Sequence, residues 1–156
     1  MADQKKSSTI VVNRKARYEY HLSDPLEAGI ALRGAEVKSC RAGKVTIIDS
    51  YVRVEKGEAF IHKLHIMPYD HDTLSSPSPD RTRRLLLHKD EIRKLGRSVD
   101  QKGMTLIPTK MYFRNGYVKV QVSLGKGKTE YDKRDTIKSR DATRDMRDTV
   151  RDYNRD

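Results

Sequence analysis

Residues 26–44 read LEAGIALRGAEVKSCRAGK, and two patterns meet in them. Ala28, Ile30 and Leu32 alternate with Gly29, Ala31 and Arg33, the period of a strand with one face in a core. Gly34 breaks the run. Val37 and Cys40 then follow three residues apart, which predicts a short helical turn with Glu36, Lys38 and Arg41 facing water. Gly43 closes the turn. Small residues at the bends let backbones approach closely, as at the corner of a small barrel.

Towards the N-terminus, Asp24-Pro25 marks a turn or a helix start. Before it, Tyr18, Tyr20 and Leu22 alternate with Glu19 and His21, which predicts a strand. Asn13-Arg14-Lys15-Ala16-Arg17 puts three cations in five residues. A basic cluster beside exposed aromatics suits base stacking with phosphate contact; it suits equally a solvated edge whose tyrosines cap the core. Residues 9–12 are β-prone, and residues 1–8 form a polar arm expected to be mobile.

Towards the C-terminus, Val52 and Val54 alternate with polar residues, and so do Phe60, His62, Leu64 and Ile66. Lys56-Gly57 between them is a hairpin turn. Residues 67–84 carry Pro68, Pro77 and Pro79 and read as a long loop. It ends in Arg81, Arg83 and Arg84, a cluster suited to phosphate. Leu85-Leu86-Leu87 reads as a buried strand. A helix is expected from residue 89, with Ile92, Leu95 and Val99 on one face. Asn115-Gly116 signals a tight hairpin. After it Val118, Val120, Val122 and Leu124 point one way, and Tyr117, Lys119, Gln121 and Ser123 the other. About six short strands with one amphipathic helix predict an all-β chain with minor helix, closed as a barrel rather than stacked as a sandwich.

Composition bounds the function. Lys and Arg total 33 against 22 Asp and Glu, a net charge of +11 that points to a polyanionic partner, nucleic acid above all. The single cysteine, Cys40, excludes an internal disulfide and suits a reducing compartment. No apolar run approaches the roughly 20 residues that span a bilayer, and no secretory signal is evident, so a cytoplasmic, membrane-free protein is expected.

The charge divides unevenly. Residues 1–124 hold 23 basic and 14 acidic groups, whereas residues 125–156 hold 10 and 8. The barrel, residues 1–130, therefore carries the attracting field, and residues 131–156 form a nearly balanced tail. In that tail arginines recur at 140, 144, 147, 151 and 155, on one helical face. Aspartates at 141, 145, 148 and 152 form the neighbouring stripe. Few apolar residues are left to bury, so the tail is expected to be disordered alone and helical when bound. Gly125-Lys126-Gly127-Lys128 lacks the spacing and βα context of a phosphate-binding loop.

Five separated motifs, spread from Asn13 to Arg140, resemble one family. They are EAGI-AL-GAEVKS-RAGK, the run NRKAR-x-x-Y before it, RRLLLHKDEI, GK-x-x-Y-DKR, and IKSR in the tail. Together they resemble the SmpB family, the SsrA-binding (tmRNA-binding) proteins of bacterial ribosome rescue. Thr129 stands where that family usually has a second basic residue. The resemblance implies an oligonucleotide-binding-type barrel without cofactor. It implies that Asn13, Tyr20 and Glu27 lie on the tmRNA-binding face, with Leu86 against the RNA rather than in the core. A carboxylate such as Glu27 suits that face only as an acceptor for a base or 2′-OH donor; otherwise it is an acidic residue at a helix N-terminus. Arg14, Lys15, Arg17, Arg83, Arg84, Lys119, Lys126 and Lys128 are the cations expected to meet RNA. The family's tail enters the empty mRNA channel near the decoding centre. Tyr131, Asp132, Lys133, Arg134, Ile137, Lys138, Arg140, Arg144, Arg147 and Arg151 are its counterparts here. The partners implied are tmRNA, small-subunit rRNA of the ribosome and the aminoacylated tmRNA complex with elongation factor Tu, with the protein a monomer.

Two other readings compete. A generic barrel for single-stranded RNA would not need a balanced tail. A phosphodiesterase would have to use the histidines, but His62 and His65 are expected on opposite strand faces. A metal at His71 between Asp70 and Asp72 has only local clustering behind it. No nucleophile–base motif is present, Cys40 reads as a small core residue, and the chain reads as non-enzymatic.

Overall fold

The computed structural model describes residues 7–69 and 77–153. In chain order the elements are β1 (Ser7–Val12), α1 (Arg14–Glu19), β2 (Tyr20–Ile30), α2 (Gly34–Arg41), β3 (Val45–Thr46), β4 (Tyr51–Glu55) and β5 (Glu58–His62). They continue with β6 (His65–Ile66), β7 (Arg83–Leu86), α3 (Lys89–Lys102), β8 (Thr105–Arg114), β9 (Tyr117–Gly127) and α4 (Glu130–Tyr153). Ser7 and Ser8, expected in a mobile arm, instead pair with Arg114 and Phe113; the rest of the expected arm lies outside the described residues. The candidate metal cluster around His71 lies outside the described residues.

Pairing runs β8-β4-β5-β7-β2-β9 and returns to β8, so the sheet closes as a ring of antiparallel strands, with β1 added on β8. The predicted inward face of β9 is buried: Val120 and Val122 are fully covered, with Val118 and Leu124 beside them. Ala28 and Ile30 of β2, Ile61 of β5 and Leu85 of β7 meet them in one core. Ile92 and Leu95 close one side from α3, as their spacing predicts. Both hairpins turn through paired left-handed residues, Lys56 (φ 50°) with Gly57 (φ 77°) and Asn115 (φ 52°) with Gly116 (φ 81°). That is the backbone a two-residue turn needs to match strand twist.

The region before the opening motif departs from expectation. Instead of a strand through Tyr18, residues 14–19 are helical, and the strand begins at Tyr20. The cause is Asn13. Its side chain accepts the Ala16 N–H at 3.2 Å, an N-cap. Its amide also donates to the Pro108 carbonyl at 3.0 Å, and its own N–H to Thr109 O at 2.7 Å. Those carbonyls are free because β8 slips register between Pro108 and Lys110, where proline has no N–H to offer β9. Asp24-Pro25 is neither a turn nor a helix start. It is a bulge inside β2, with Asp24 at φ 50° and the register against β9 shifting between Ser23 and Leu26.

Glu36 is the second departure. It is 3% exposed, not in water. The buried face of α2 is Glu36, Ser39 and Cys40, while Val37 is half-buried. Arg83, which the sequence offers as a phosphate contact, is also buried, at 1% exposure. Its Nε donates to Glu36 Oε2 at 2.6 Å and its Nη1 to Leu64 O at 2.6 Å. Its Nη2 donates to Pro79 O at 3.0 Å. Arg81 also pairs with Glu36, and the Arg33 N–H donates to Glu36 Oε1 at 3.0 Å. The arginines at the loop end therefore fasten the loop to α2, and of the three only Arg84 is open to solvent.

Candidate nucleic-acid interface

β2, β9 and β8 lie side by side, and alternation sends one set of side chains outward. Gly29 pairs with Lys119, Lys119 with Tyr112, and Tyr117 with Arg114. Glu27 lies on this outer face, in mid-strand, and caps no helix. Tyr112 Oη donates to Glu27 Oε2 at 2.5 Å and Arg114 Nη1 donates to the same oxygen at 2.8 Å. The Tyr112 hydroxyl, opposed by partial burial and reinforced by Arg114, holds the Glu27 carboxyl below its ordinary range. Burial and Glu27 together push Tyr112 up to about 12. Glu27 is thus an anion at any physiological pH. Two donors leave acceptor capacity on a carboxylate with about four lone-pair sites.

Beside Glu27 runs a groove of about 800 Å³ between β2 and the start of α3. Leu86, Arg84, Lys119, Lys56 and Lys89 line it together with Gly29. Leu86 is 49% exposed, although its leucine neighbours point inward. A side chain on residue 29 would meet Leu86 Cβ at 3.1 Å, so the glycine is what lets Leu86 lie across β2. The strand-core reading of all three leucines fails at Leu86 because β7 follows the period of two: Arg83 and Leu85 are buried, Arg84 and Leu86 exposed. Arg84 lies 3.4 Å from Glu58 in a solvent-exposed pair.

The other expected residues gather at the far end of β2. Gly29 lies nine positions beyond Tyr20 along the bulged strand, at most about 30 Å at roughly 3.3 Å per residue. Arg14, Lys15, Arg17 and Lys126 are exposed there, with Lys15 paired to Asp49 at 3.1 Å. Tyr20 packs over Gly125, where an added Cβ would sit 3.2 Å from its ring. Asn13 belongs to this end but is 4% exposed with its side chain committed to the cap and Pro108, so its expected place on the RNA-facing surface is corrected to a buried one. Arg83 likewise leaves the set of surface cations.

The root of α4 is fastened to this same end. Thr129 Oγ1 accepts the Asp132 N–H at 3.3 Å and the Thr129 N–H reaches Asp132 Oδ2 at 3.3 Å, a reciprocal cap. The residue that departs from the family's basic pattern therefore starts the helix. Lys128 Nζ donates to Arg17 O at 3.0 Å and Thr136 Oγ1 at 2.7 Å, His21 pairs with Asp132 at 3.3 Å, and Lys133 lies 5.7 Å from the Tyr18 ring centroid. The His21 hydrogen bond, with those from Thr129, lowers the Asp132 pKa. Tyr131 is 72% exposed, Ile137 half-buried, and Arg134, Lys138, Arg140, Arg144 and Arg147 are exposed. Arg140, Arg144 and Arg147 share one face. The side chain of Arg151 lies outside the described residues.

Cys40 is buried, away from these surfaces. Burial, with the Glu36 charge, pushes the Cys40 thiol up to about 11. Among the described residues no group of three His, Cys, Asp or Glu could hold a metal, and no helix is long and apolar enough to cross a membrane.

A basic closed antiparallel barrel with an outward groove and a charged C-terminal helix defines an oligonucleotide-binding-type protein. The family model described as "SmpB protein" matches residues 10–152. The chain belongs to the SmpB family. It is 50% identical over 137 residues to an SsrA-binding protein of Pelotomaculum thermopropionicum, covering 88% of this chain and 90% of that one. It is 53% identical over 144 residues to an SsrA-binding protein of Desulforamulus reducens, covering 92% and 89%. A solved structure described as "tmRNA-SmpB: a journey to the center of the bacterial ribosome" superposes with a TM-score of 0.65 at 45% identity, covering 81% of this chain and 93% of that one.

Proposed function

We propose that this protein binds the tRNA-like part of tmRNA and delivers it to stalled ribosomes for trans-translation, as a non-enzymatic, cytoplasmic RNA-binding protein. The observation that carries the reading is the outer face on which Glu27, Lys119 and Leu86 come together from β2, β9 and β7. It offers an anionic acceptor, a cation and an exposed apolar side chain, three groups that recognise an unpaired, folded-out nucleotide rather than a uniform duplex. Family membership and the names of the relatives support the same partner.

Residues 1–130 are the RNA-capturing barrel and residues 131–156 the part that acts on the ribosome. The cations around Arg14, Arg17 and Lys126 meet the RNA backbone, and the arginine face of α4 takes rRNA phosphates in the vacant mRNA path near the decoding centre. Elongation factor Tu would share the aminoacylated tmRNA. Affinity-tagged protein recovered from its own host, followed by sequencing of the bound RNA, tests the reading; tmRNA should dominate, and a random RNA population would overturn it.

Two predictions arise here. Capture driven by the barrel's surplus charge should weaken linearly in log–log salt plots, by about 0.7–0.9 per phosphate neutralised. A flat titration between low and physiological salt contradicts that. Glu27→Gln should lower tmRNA affinity about tenfold, because a charged acceptor is worth about 1.5–3 kcal/mol. The melting temperature should barely move, since a partly exposed pair contributes at most about 1 kcal/mol. If melting falls in step with affinity, Glu27 is only a strut for Tyr112 and Arg114.

A further inference from the structure

Leu86 is a ridge with a hollow on each side. One is the groove already described. The other is a smaller cleft of about 200 Å³ lined by Leu86 and Tyr117 together with Gly29, Val118, Leu32 and Lys119. It lies below the roughly 300–1,000 Å³ of a drug-sized site, which leaves room for one ring system. Tyr117 is 72% exposed and Leu86 49%, so two large side chains with apolar faces stand open beside Lys119, the charged residue of the cleft's lining. Tyr117 is also the first residue after the Asn115-Gly116 turn and pairs with Arg114, the residue that holds Glu27. A tight two-residue hairpin gives its ring a stiff mount.

We propose that this cleft takes one unpaired nucleotide of the RNA partner, its base held between the Tyr117 ring and Leu86 and its phosphate met by Lys119. The inference rests on the function proposed above and extends it to a specific subsite. Charge complementarity favours a nucleotide over an apolar peptide. Lys119 borders both hollows, so a strand crossing the Leu86 ridge keeps a cation under its phosphates while one base drops to each side. Stacking on an exposed tyrosine is tolerant of base identity, so the subsite would hold the RNA without reading its sequence.

The test uses the tRNA-like part of tmRNA with 2-aminopurine placed in turn at its unpaired positions. Wild-type protein should quench one position by stacking. Tyr117→Ala should abolish that quench and lower affinity about tenfold, within the range measured for losing a base–aromatic stack. Tyr117→Phe should restore both, and neither change should alter the melting temperature of so exposed a residue. Unchanged affinity and quench in Tyr117→Ala, with wild-type binding intact, overturns the subsite and leaves the general function standing. Loss in Tyr117→Ala of self-association or of protein binding, with RNA affinity unchanged, overturns it too. Failure of the wild type to bind this RNA overturns the function itself.

Discussion

Truncation after Glu130 should leave tmRNA affinity within a few-fold of the full chain and abolish peptide tagging on stalled ribosomes. The barrel closes on itself without α4, and among the described residues the side-chain contacts of α4 with the body come from its first two turns. Those contacts are exposed or half-buried, so their loss costs the barrel little. Residues 138–147 are all exposed, so side-chain neighbours three and four apart can add only a few tenths of a kcal/mol per pair to this part of α4. An ordering cost of that kind is met when phosphates replace water around the arginines. Reversing Arg140, Arg144 and Arg147 to glutamate should therefore reproduce the truncation, and reversing a single aspartate should not. Tagging assays on ribosomes stalled at the end of a message, with RNA affinity measured in parallel, check this. Truncated protein that still supports tagging would reduce the tail to a solubility device.

Glu36→Gln should destabilise the fold by about 3–5 kcal/mol, because it leaves the buried Arg83 charge without its counter-ion. For a chain of this size that is a fall of roughly 6–20 °C in melting temperature. Replacing both residues, Glu36→Leu with Arg83→Met, should cost less than Glu36→Gln alone, since no buried charge remains unpaired. The pair also makes the fold acid-sensitive. Burial pushes the Glu36 carboxyl up, but hydrogen bonds from Arg81, the Arg33 amide and Arg83 outweigh it, so its folded pKa is lowered. A lowered carboxylate contributes stability that is full above its unfolded value of about 4.3 and is lost as pH falls through the folded value. Thermal melts from pH 7 down to pH 3 should show wild type approaching Glu36→Gln at the acid end. Parallel curves would assign the stabilisation elsewhere.

The barrel was legible because period and punctuation agree. Val118 to Leu124 alternates, and Asn115-Gly116 and Lys56-Gly57 turn with the geometry their residue types favour. What stayed hidden depends on partners distant in sequence. Nothing near Asn13 announces that a proline bulge 95 residues away will leave two carbonyls for it, and without that anchor NRKARYE reads as strand as readily as helix. Glu36 looks solvated beside Lys38 and Arg41, and only the arrival of Arg81 and Arg83 makes its burial affordable. Thr129 reads as a lost cation until Asp132 is seen to complete its cap. Leu86 is the opposite case: the bulk of three leucines masks a plain alternation that Arg83 and Arg84 continue. On the outer face, Glu27 is expected from the family resemblance and Arg84 from the charge of the loop end, whereas Tyr112, Arg114 and Tyr117 carry no such signal, since their proximity to Glu27 and Leu86 comes from strand register.

The barrel recognises a folded, tRNA-like RNA if the function proposed above holds. Equilibrium binding at physiological salt should compare the tRNA-like part of tmRNA with an unstructured RNA of equal length and composition, titrated against the full chain. The folded RNA should bind at least tenfold tighter, and Glu27→Gln should narrow that margin. Equal affinities, or tighter binding of the unstructured strand, would contradict the account and favour a generic single-stranded RNA-binding barrel.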